Sequence, residues 1–440
     1  MASRRVRSKA ARPSCRPGLR SSPRTEEAEL VGLPHHIMLE VLKFLDARTI
    51  VRSRGVSRAF RADAPALVDM LEFDQDQKFP SFTRMRVYSN VKEVRLEGAN
   101  RLVYDAAVAL RGASSLRRLA ISRPPSLEQK TPLSKTATEK LCALPLVEFE
   151  MQRVELEFPG RLRMPAWHTL EKLVVREGFL CDTSIINLVA SIPAGPLPLR
   201  HLDLSRNLFG HEDAMQPLAR ALKSFPHMET LELTADRISG DGAKLILREL
   251  LDGACPRLTK LDLSLNFLHD GVLDYLADGV GRAGHGLQNL RRLGIGGRFS
   301  PDETVTCFES IARALAAGGL PLLDFLHLQG DVGPPQVGPL LRKFKLGGCP
   351  NMAVVKVERS VLFHPAEDPD STEDAISSML ELVTSSCAPR LREVHVLGMN
   401  LGKGLEWAEE ERTAFYRAGN ESSFHRLALA GALRGVMIYV

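Results

Sequence analysis

The sequence predicts an α/β solenoid, with a curved parallel sheet inside and helices outside, preceded by a small all-helical unit. Three observations predict this fold class. A short apolar pattern recurs along most of the 440 residues, and the segments between its copies space their apolar residues as helices do. Residues 30–65 lack the pattern and form an amphipathic unit of their own. We therefore divide the chain into a basic tail at 1–29, a helical unit at 30–65 and a repeat array at 66–440.

The recurring pattern is clearest in "LRHLDLSRN" (199–207), "METLELTAD" (228–236) and "LTKLDLSLN" (258–266). Apolar residues stand at places one, four and six, and Asn or Asp stands at place nine. This pattern resembles the leucine-rich-repeat template. It recurs about twelve times at intervals of 25 to 39 residues, with a degenerate first copy at Val68. The predicted starts are Val91, Leu116, Leu144, Leu170, Leu199, Met228, Leu258, Leu290, Leu323, Met352, Leu391 and Phe424.

Each repeat is predicted to supply one strand and one helix. Places four and six point inward, and stability comes from the stacking of neighbouring repeats. The polar residues at place nine are predicted to form turns, each worth about 1 kcal/mol, with no binding role expected. Cysteines before three repeat starts are predicted to fill the corner between helix and strand. "GIGGRFS" (294–300) is interpreted as a turn after a strand. The place-nine residues are Asn207, Asp236 and Asn266, and the corner cysteines are Cys255, Cys349 and Cys387.

The unit at 30–65 contains "LPHHIMLEVLKFLDARTIVRSRGVSRAF". Leu-Pro opens it, an apolar helical face follows, Asp46 leads a turn, and Val-Ser-Arg precedes an aromatic residue. This order of residues resembles the F-box. The family usually has an acidic residue after Leu-Pro, and His35-His36 stand here instead, which weakens the first helical turn. The unit also has more apolar positions than so short a segment can bury internally.

The F-box resemblance implies a docking surface for the Skp-type adaptor of cullin–RING ubiquitin ligases, with the repeats holding a protein substrate. The alternative is that the unit packs only on the first repeat and caps the array. The resemblance assigns adaptor binding to Leu33, Pro34, Ile37, Val41, Leu42, Leu45, Ile50 and Val56.

Charge and composition exclude several classes of protein. Residues 1–29 hold eight basic and three acidic residues, which from totals of 58 and 53 leaves 50 of each in the rest of the chain. A nucleic-acid-binding body would carry excess positive charge on its folded surface, so no nucleic acid is expected. No apolar run approaches a membrane span. Seven cysteines without a Cys-x-x-Cys pair suit a reducing compartment, so a cytoplasmic or nuclear protein is expected. The tail is predicted to be disordered, with nuclear import or organelle transit as alternatives.

No catalytic or metal-binding motif is found, so we expect neither an enzyme nor a cofactor. The candidate substrate surface is the concave sheet. There Asp203, Glu232 and Asp262 are predicted to face solvent on adjacent strands, either as a site for a basic segment or as an ordinary solvated face. If they do not bind, Phe325, His327 and Lys356 are the next candidates. The predicted function is that of a ubiquitin-ligase substrate receptor; a capped scaffold and a GTPase-activating protein remain the alternatives.

Overall fold

The computed structural model describes residues 68–73, 90–98, 100–124, 133–156, 158, 164–268, 270–297, 304–330, 350–359, 389–397 and 437–439, with 342, 377, 378, 380, 381, 383, 384 and 431. The predicted tail and helical unit lie outside these residues. The described part is built on one 13-stranded parallel sheet in which each strand pairs with the next along the chain. The strands are β1 Met70–Phe73, β2 Glu93–Glu97, β3 Arg118–Ser122, β4 Glu148–Gln152, β5 Lys172–Arg176, β6 His201–Asp203, β7 Thr230–Glu232, β8 Lys260–Leu263, β9 Arg292–Gly297, β10 Phe325–Gly330, β11 Val354–Arg359, β12 Glu393–Leu397 and β13 Met437–Tyr439.

From β2 to β10 each connection contains a described helix, which between β4 and β5 is only the short 3₁₀-helix Pro165–His168. Most of the α-helices pack against the next one along the chain. Such a sheet of consecutive parallel strands, with helices in the connections, is a leucine-rich-repeat solenoid, so the predicted solenoid is confirmed. The described α-helices are α1 Asn100–Ala109, α2 Lys135–Cys142, α3 Asp182–Ala190, α4 Glu212–Ala221, α5 Gly240–Leu251, α6 Asp270–Val280 and α7 Thr304–Ala316. Within the described residues, none of the helices is long and apolar enough to cross a membrane.

The apolar places of the pattern form one continuous core along the array. In the three clearest repeats the residues at places one, four and six are all buried, as predicted. Leu261 of β8, for example, lies between the equivalent leucines of β7 and β9. The inward direction of places four and six is thus confirmed. The apolar side chains of each strand pack against those of the two neighbouring strands.

Helix α5 begins after a capping serine and ends before a glycine. The side chain of Ser239 accepts a hydrogen bond from the backbone N–H of Gly242 at 3.1 Å, which caps the first turn. At the other end Gly253 has φ +90°, a conformation that glycine adopts without strain. Cys255 then lies buried in the corner before β8, where burial raises the pKa of its thiol to about 12. The corner prediction is confirmed there; Cys349 and Cys387 lie outside the described residues.

The polar residue at place nine bonds the backbone of its own turn, as predicted, and it also reaches the neighbouring repeat, which was not predicted. Asn266 is buried, and its Oδ1 accepts from the backbone N–H groups of Asp236 (2.9 Å) and Ile238 (3.1 Å). Its Nδ2 donates to the carbonyls of Leu233 (2.7 Å) and Leu263 (2.9 Å). One side chain therefore joins the backbones of two adjacent repeats, because the turn brings four of their backbone groups around it.

The fourth repeat starts two residues later than predicted. Phe149 of β4 pairs with Leu119 and Leu173, which occupy place four, so Glu150 rather than Glu148 occupies place five. Strand side chains alternate with a period of two. Leu144 and Leu146 are both buried, so either residue can stand at place one of the apolar template. The predicted start is Leu144, and the structure shows that the start is Leu146.

Two further assignments change near the C-terminal half. Gly294 to Gly297 lie inside β9 and not in a turn after it. A strand at Phe424 was predicted, but that residue lies outside the described part of the chain. The place beside β12 is taken by Met437–Tyr439, which pairs in parallel with Glu393 to His395.

Candidate functional site

The concave face of the solenoid presents the side chains at places three, five and seven. At place five the register runs Asp203 to Glu232 to Asp262 on three adjacent strands, as predicted. Beyond them Gly294, His327, Lys356 and His395 continue the row. Acidic residues therefore occupy the middle of the face and basic or titratable ones its C-terminal half.

The acidic residues do not all face solvent, and that prediction is wrong. The Asp203 side chain is 0% exposed and that of Glu232 is 13% exposed; Asp262 is half-buried. Asp203 also accepts a hydrogen bond from the backbone N–H of Ser205 at 3.0 Å. A buried carboxylate is retained only where partners compensate its lost hydration.

That compensation comes from basic side chains on the flanking strands. Nε of Arg176, at place seven of β5, donates to Asp203 Oδ2, and Nη2 of Arg176 lies 3.5 Å from Glu232 Oε2. Lys260 Nζ lies 3.0 Å from the same Glu232 oxygen. The middle of the concave face is therefore a cross-strand ion-pair network. A variant with Asp203, Glu232 and Asp262 all changed to Lys would disrupt this network. Any loss of target binding in that variant could therefore not be separated from a loss of stability.

His201 completes the network. Its Nε2 lies 3.9 Å from Glu232 Oε1, and burial lowers its pKa even though Glu232 and Asp203 act in the opposite direction. His201, Asp203 and Glu232 each offer one ligand atom, all within 4.8 Å of one another. One cation could sit among them. Arg176 and Lys260 already hold the carboxylates, however, so the geometry favours ion pairing over metal binding.

Replacing Arg176 by Met is expected to destabilise the array by about 1–2 kcal/mol, measured by urea unfolding. The change leaves buried Asp203 without its cation, a loss reduced here because the Arg176 side chain is 41% exposed to solvent. The matched control is Arg200→Met, which removes exposed pairs with Glu171 and Glu229 and should change stability little. Equal effects of the two variants would contradict the network.

The C-terminal half of the concave face brings together the second set of predicted residues. Phe325, His327 and Lys356 are half-buried, and His327 pairs in register with Lys356 on the next strand. The rings of Phe325 and His327 meet edge to face with centroids 6.5 Å apart. Arg292 places its guanidinium carbon 6.0 Å from the Phe325 ring centroid, a cation–π contact. The result is a basic and aromatic surface to which Arg292 contributes without having been predicted.

Gly294 separates the two halves. A Cβ placed on it would lie 2.5 Å from Asp262 Oδ1, so any larger residue would displace that carboxylate from its present position. The sequence could have revealed Arg292, because Lys or Arg recurs at place three, as in Arg118, Lys172 and Lys260. Arg176 is the one basic residue at place seven of the described strands, so no recurrence pointed to it. The predicted acidic row was taken from place five alone, so the basic residues at places three and seven were left out.

The predicted adaptor residues, Leu33 through Val56, all lie outside the residues that the structure describes. The described chain is a leucine-rich-repeat solenoid without a recognisable catalytic constellation on its concave face. Residues 30–62 match the family model of the F-box domain and include all eight predicted adaptor residues. The chain thus joins an F-box domain to a leucine-rich-repeat solenoid.

Solved structures similar to the chain include leucine-rich-repeat proteins. It is 15% identical to a chain in the complex of Rad7 and Elc1 from yeast, covering 86% of this chain and 87% of that one with a TM-score of 0.39. A leucine-rich-repeat protein of Leptospira interrogans is also 15% identical, with 87% and 98% covered and a TM-score of 0.37. The curated proteins include no match to the chain.

Proposed function

We propose that the protein is the substrate receptor of a cullin–RING ubiquitin ligase. Its F-box would dock on a Skp-type adaptor, and its repeats would hold the target protein. The observation that carries this proposal is the F-box match at residues 30–62 placed directly before a long solenoid. The protein would do no bond chemistry itself; by holding the target near the ligase it raises the effective concentration of the reacting groups.

The concave surface supports a target-binding role most clearly in its C-terminal half. There the basic and aromatic side chains of Arg292, Phe325, His327 and Lys356 gather, whereas the acidic residues of the middle are engaged with Arg176 and Lys260. Of the three predicted acids, Asp262 is the one with exposed surface and no strong ion pair among the described residues. A target with acidic character fits this half better than the basic segment first predicted.

Leu33→Ala combined with Pro34→Ala is expected to abolish co-purification of the Skp-type adaptor while leaving the array folded. These residues open the F-box match and lie far in sequence from the described sheet. Adaptor recovery is measured by pull-down, and folding by circular dichroism and a urea melt. Lys356→Glu is the control, because it alters the concave face and should retain the adaptor.

Normal adaptor recovery by the Leu33/Pro34 variant with an unchanged melt would contradict the proposal. Loss of adaptor together with a lower melting midpoint would favour the alternative in which the helical unit caps the array. The two results separate docking from capping in one pair of measurements.

A further inference from the structure

The strand-exit edge of the middle repeats carries a row of exposed apolar side chains. We call it the exit rim and define it by Phe179, Leu208, Leu265 and Phe267, with Arg206 and Arg237 between them. The four apolar side chains are 43%, 40%, 39% and 46% exposed. They lie at places eight and ten of the repeats of β5, β6 and β8, just beyond the strand ends and not on the concave face. The repeat of β7 has Ala235 and Arg237 at these places.

Backbone hydrogen bonds fix two of the three steps of this row. The N–H of Leu208 donates to the carbonyl of Leu180 at 2.8 Å, and that of Phe267 donates to Ile238 at 2.9 Å. Place ten of one repeat is thereby fixed beside place eleven of the preceding one. Phe179 and Leu208 therefore lie on adjacent repeats, about one 4.8 Å strand spacing apart. Phe267 lies two repeats from Leu208, with Arg237 on the repeat between them.

The backbone at the rim is costly for the residues that occupy it. Phe179 has φ +53° and Leu265 has φ +60°, in the left-handed region that bulky side chains rarely adopt. Asn tolerates this region much better, and it would also remove an exposed apolar side chain. The turn imposes this backbone whatever the residue, since Arg153, Glu177, Arg206 and Ala235 share it at place eight. Fold stability therefore does not explain the choice of large, exposed apolar residues at Phe179 and Leu265.

The charges on the rim indicate which partner would fit. Arg206 is 63% exposed, and the carboxylate near it, Glu177, is 3.8 Å away and also bound by Arg153 at 3.0 Å. Arg237 is exposed and, among the described residues, has no carboxylate within ion-pair distance. A segment that contacts the rim would therefore place apolar side chains on Phe179, Leu208 and Phe267, and acidic ones on the two arginines.

We propose that the exit rim binds an extended segment of a target protein in which acidic residues alternate with large apolar ones. The proposal rests on the proposed function only in taking the bound partner to be the target. The basic C-terminal half of the concave face favours the same sign of partner charge. Binding at the rim does not require the F-box, so the two proposals fail separately.

The test uses the full chain and fluorescein-labelled twelve-residue peptide mixtures of three compositions. Each mixture contains Leu and Phe, alternating with Asp and Glu, with Lys and Arg, or with Ser and Gln. Fluorescence anisotropy is expected to show about tenfold tighter binding of the acidic mixture. Equal binding of all three mixtures, or preference for the basic one, would overturn the proposal.

Phe179→Asn with Leu265→Asn should abolish this preference while the melting temperature stays equal or rises. Arg206→Glu with Arg237→Glu should shift the preference to the basic mixture. Ile186→Gln removes a 37%-exposed apolar side chain from α3 and serves as the control that leaves binding unchanged. A lower melting temperature in the Asn variant would show that the rim is packing and not a docking surface. Concentration-dependent dimers that the Asn variant abolishes would replace the proposed partner by a second copy of the chain.

Discussion

Replacing Asn266 by alanine is expected to destabilise the solenoid by about 4 kcal/mol or more. The substitution removes the side-chain partner of two buried backbone N–H groups and two carbonyls of adjacent repeats. Each buried polar group left unpaired costs about 1–3 kcal/mol, so the total exceeds the value of an ordinary turn hydrogen bond several-fold. Urea unfolding followed by circular dichroism measures the change.

Leu261→Ala provides the comparison, with an expected cost of about 2–5 kcal/mol for the cavity it leaves between repeats. We expect the Asn266 variant to cost as much as the Leu261 variant. Thr259→Ala is a mild control, because its hydroxyl makes one hydrogen bond, to the carbonyl of Glu229. If the Asn266 variant lost only about 1 kcal/mol, its side chain would be the simple turn-former that the sequence suggested.

The contrast between Leu261 and Asn266 shows what sequence periodicity can predict. An apolar residue at place four or six is recognised as core because the pattern itself reports which face it occupies. The role of Asn266 depends on Leu233, 33 residues earlier, and on backbone groups that no side-chain pattern describes. The solenoid and its core were therefore predictable from the sequence. The hydrogen bonds by which Asn266 joins its turn to the preceding repeat were not.

The concave face shows the same limit for charged residues. The sequence placed Asp203, Glu232 and Asp262 correctly on adjacent strands, since the register follows from the repeat. Whether a carboxylate is exposed depends on the long side chains that reach it from other strands. Arg176 precedes Asp203 by 27 residues, and its side chain reaches the Asp203 carboxylate from place seven of the neighbouring strand. Side-chain reach of that kind is a property of the folded surface.

Asp236 stands where the neighbouring repeats have Asn207 and Asn266, but it makes only some of the hydrogen bonds that the two asparagines make. Its Oδ1 accepts from the backbone N–H of Asn207 at 2.7 Å. Its Oδ2 is buried and finds no hydrogen-bond partner among the described residues. In the neighbouring repeats the equivalent atom is Nδ2, which donates to the place-six carbonyls of its own and the preceding repeat. For Asp236 those carbonyls belong to Leu204 and Leu233.

An ionised carboxylate cannot donate to these carbonyls, whereas a protonated one supplies one O–H. Burial raises the pKa of Asp236 well above its ordinary value, and the charge of Asp203 adds to the increase, while the hydrogen bond from Asn207 opposes it. A carboxyl whose pKa is raised by folding stabilises the folded state fully below its unfolded pKa. That contribution is lost as pH rises through the folded pKa.

Asp236→Asn is therefore expected to stabilise the protein at neutral pH and above, by about 2–3 kcal/mol, because Nδ2 gains two hydrogen bonds that need no proton. The gain should shrink as pH falls towards the unfolded pKa of a carboxyl, about 3.9, where the wild-type side chain is protonated in both states. Urea midpoints between pH 4.5 and 8.5 measure this difference. Asn207→Asp is the matched reverse change and should lose stability with rising pH by the same mechanism. A stability difference between Asp236→Asn and wild type that stays constant across this range would mean that Asp236 does not titrate on folding, and that its Oδ2 is satisfied in some other way.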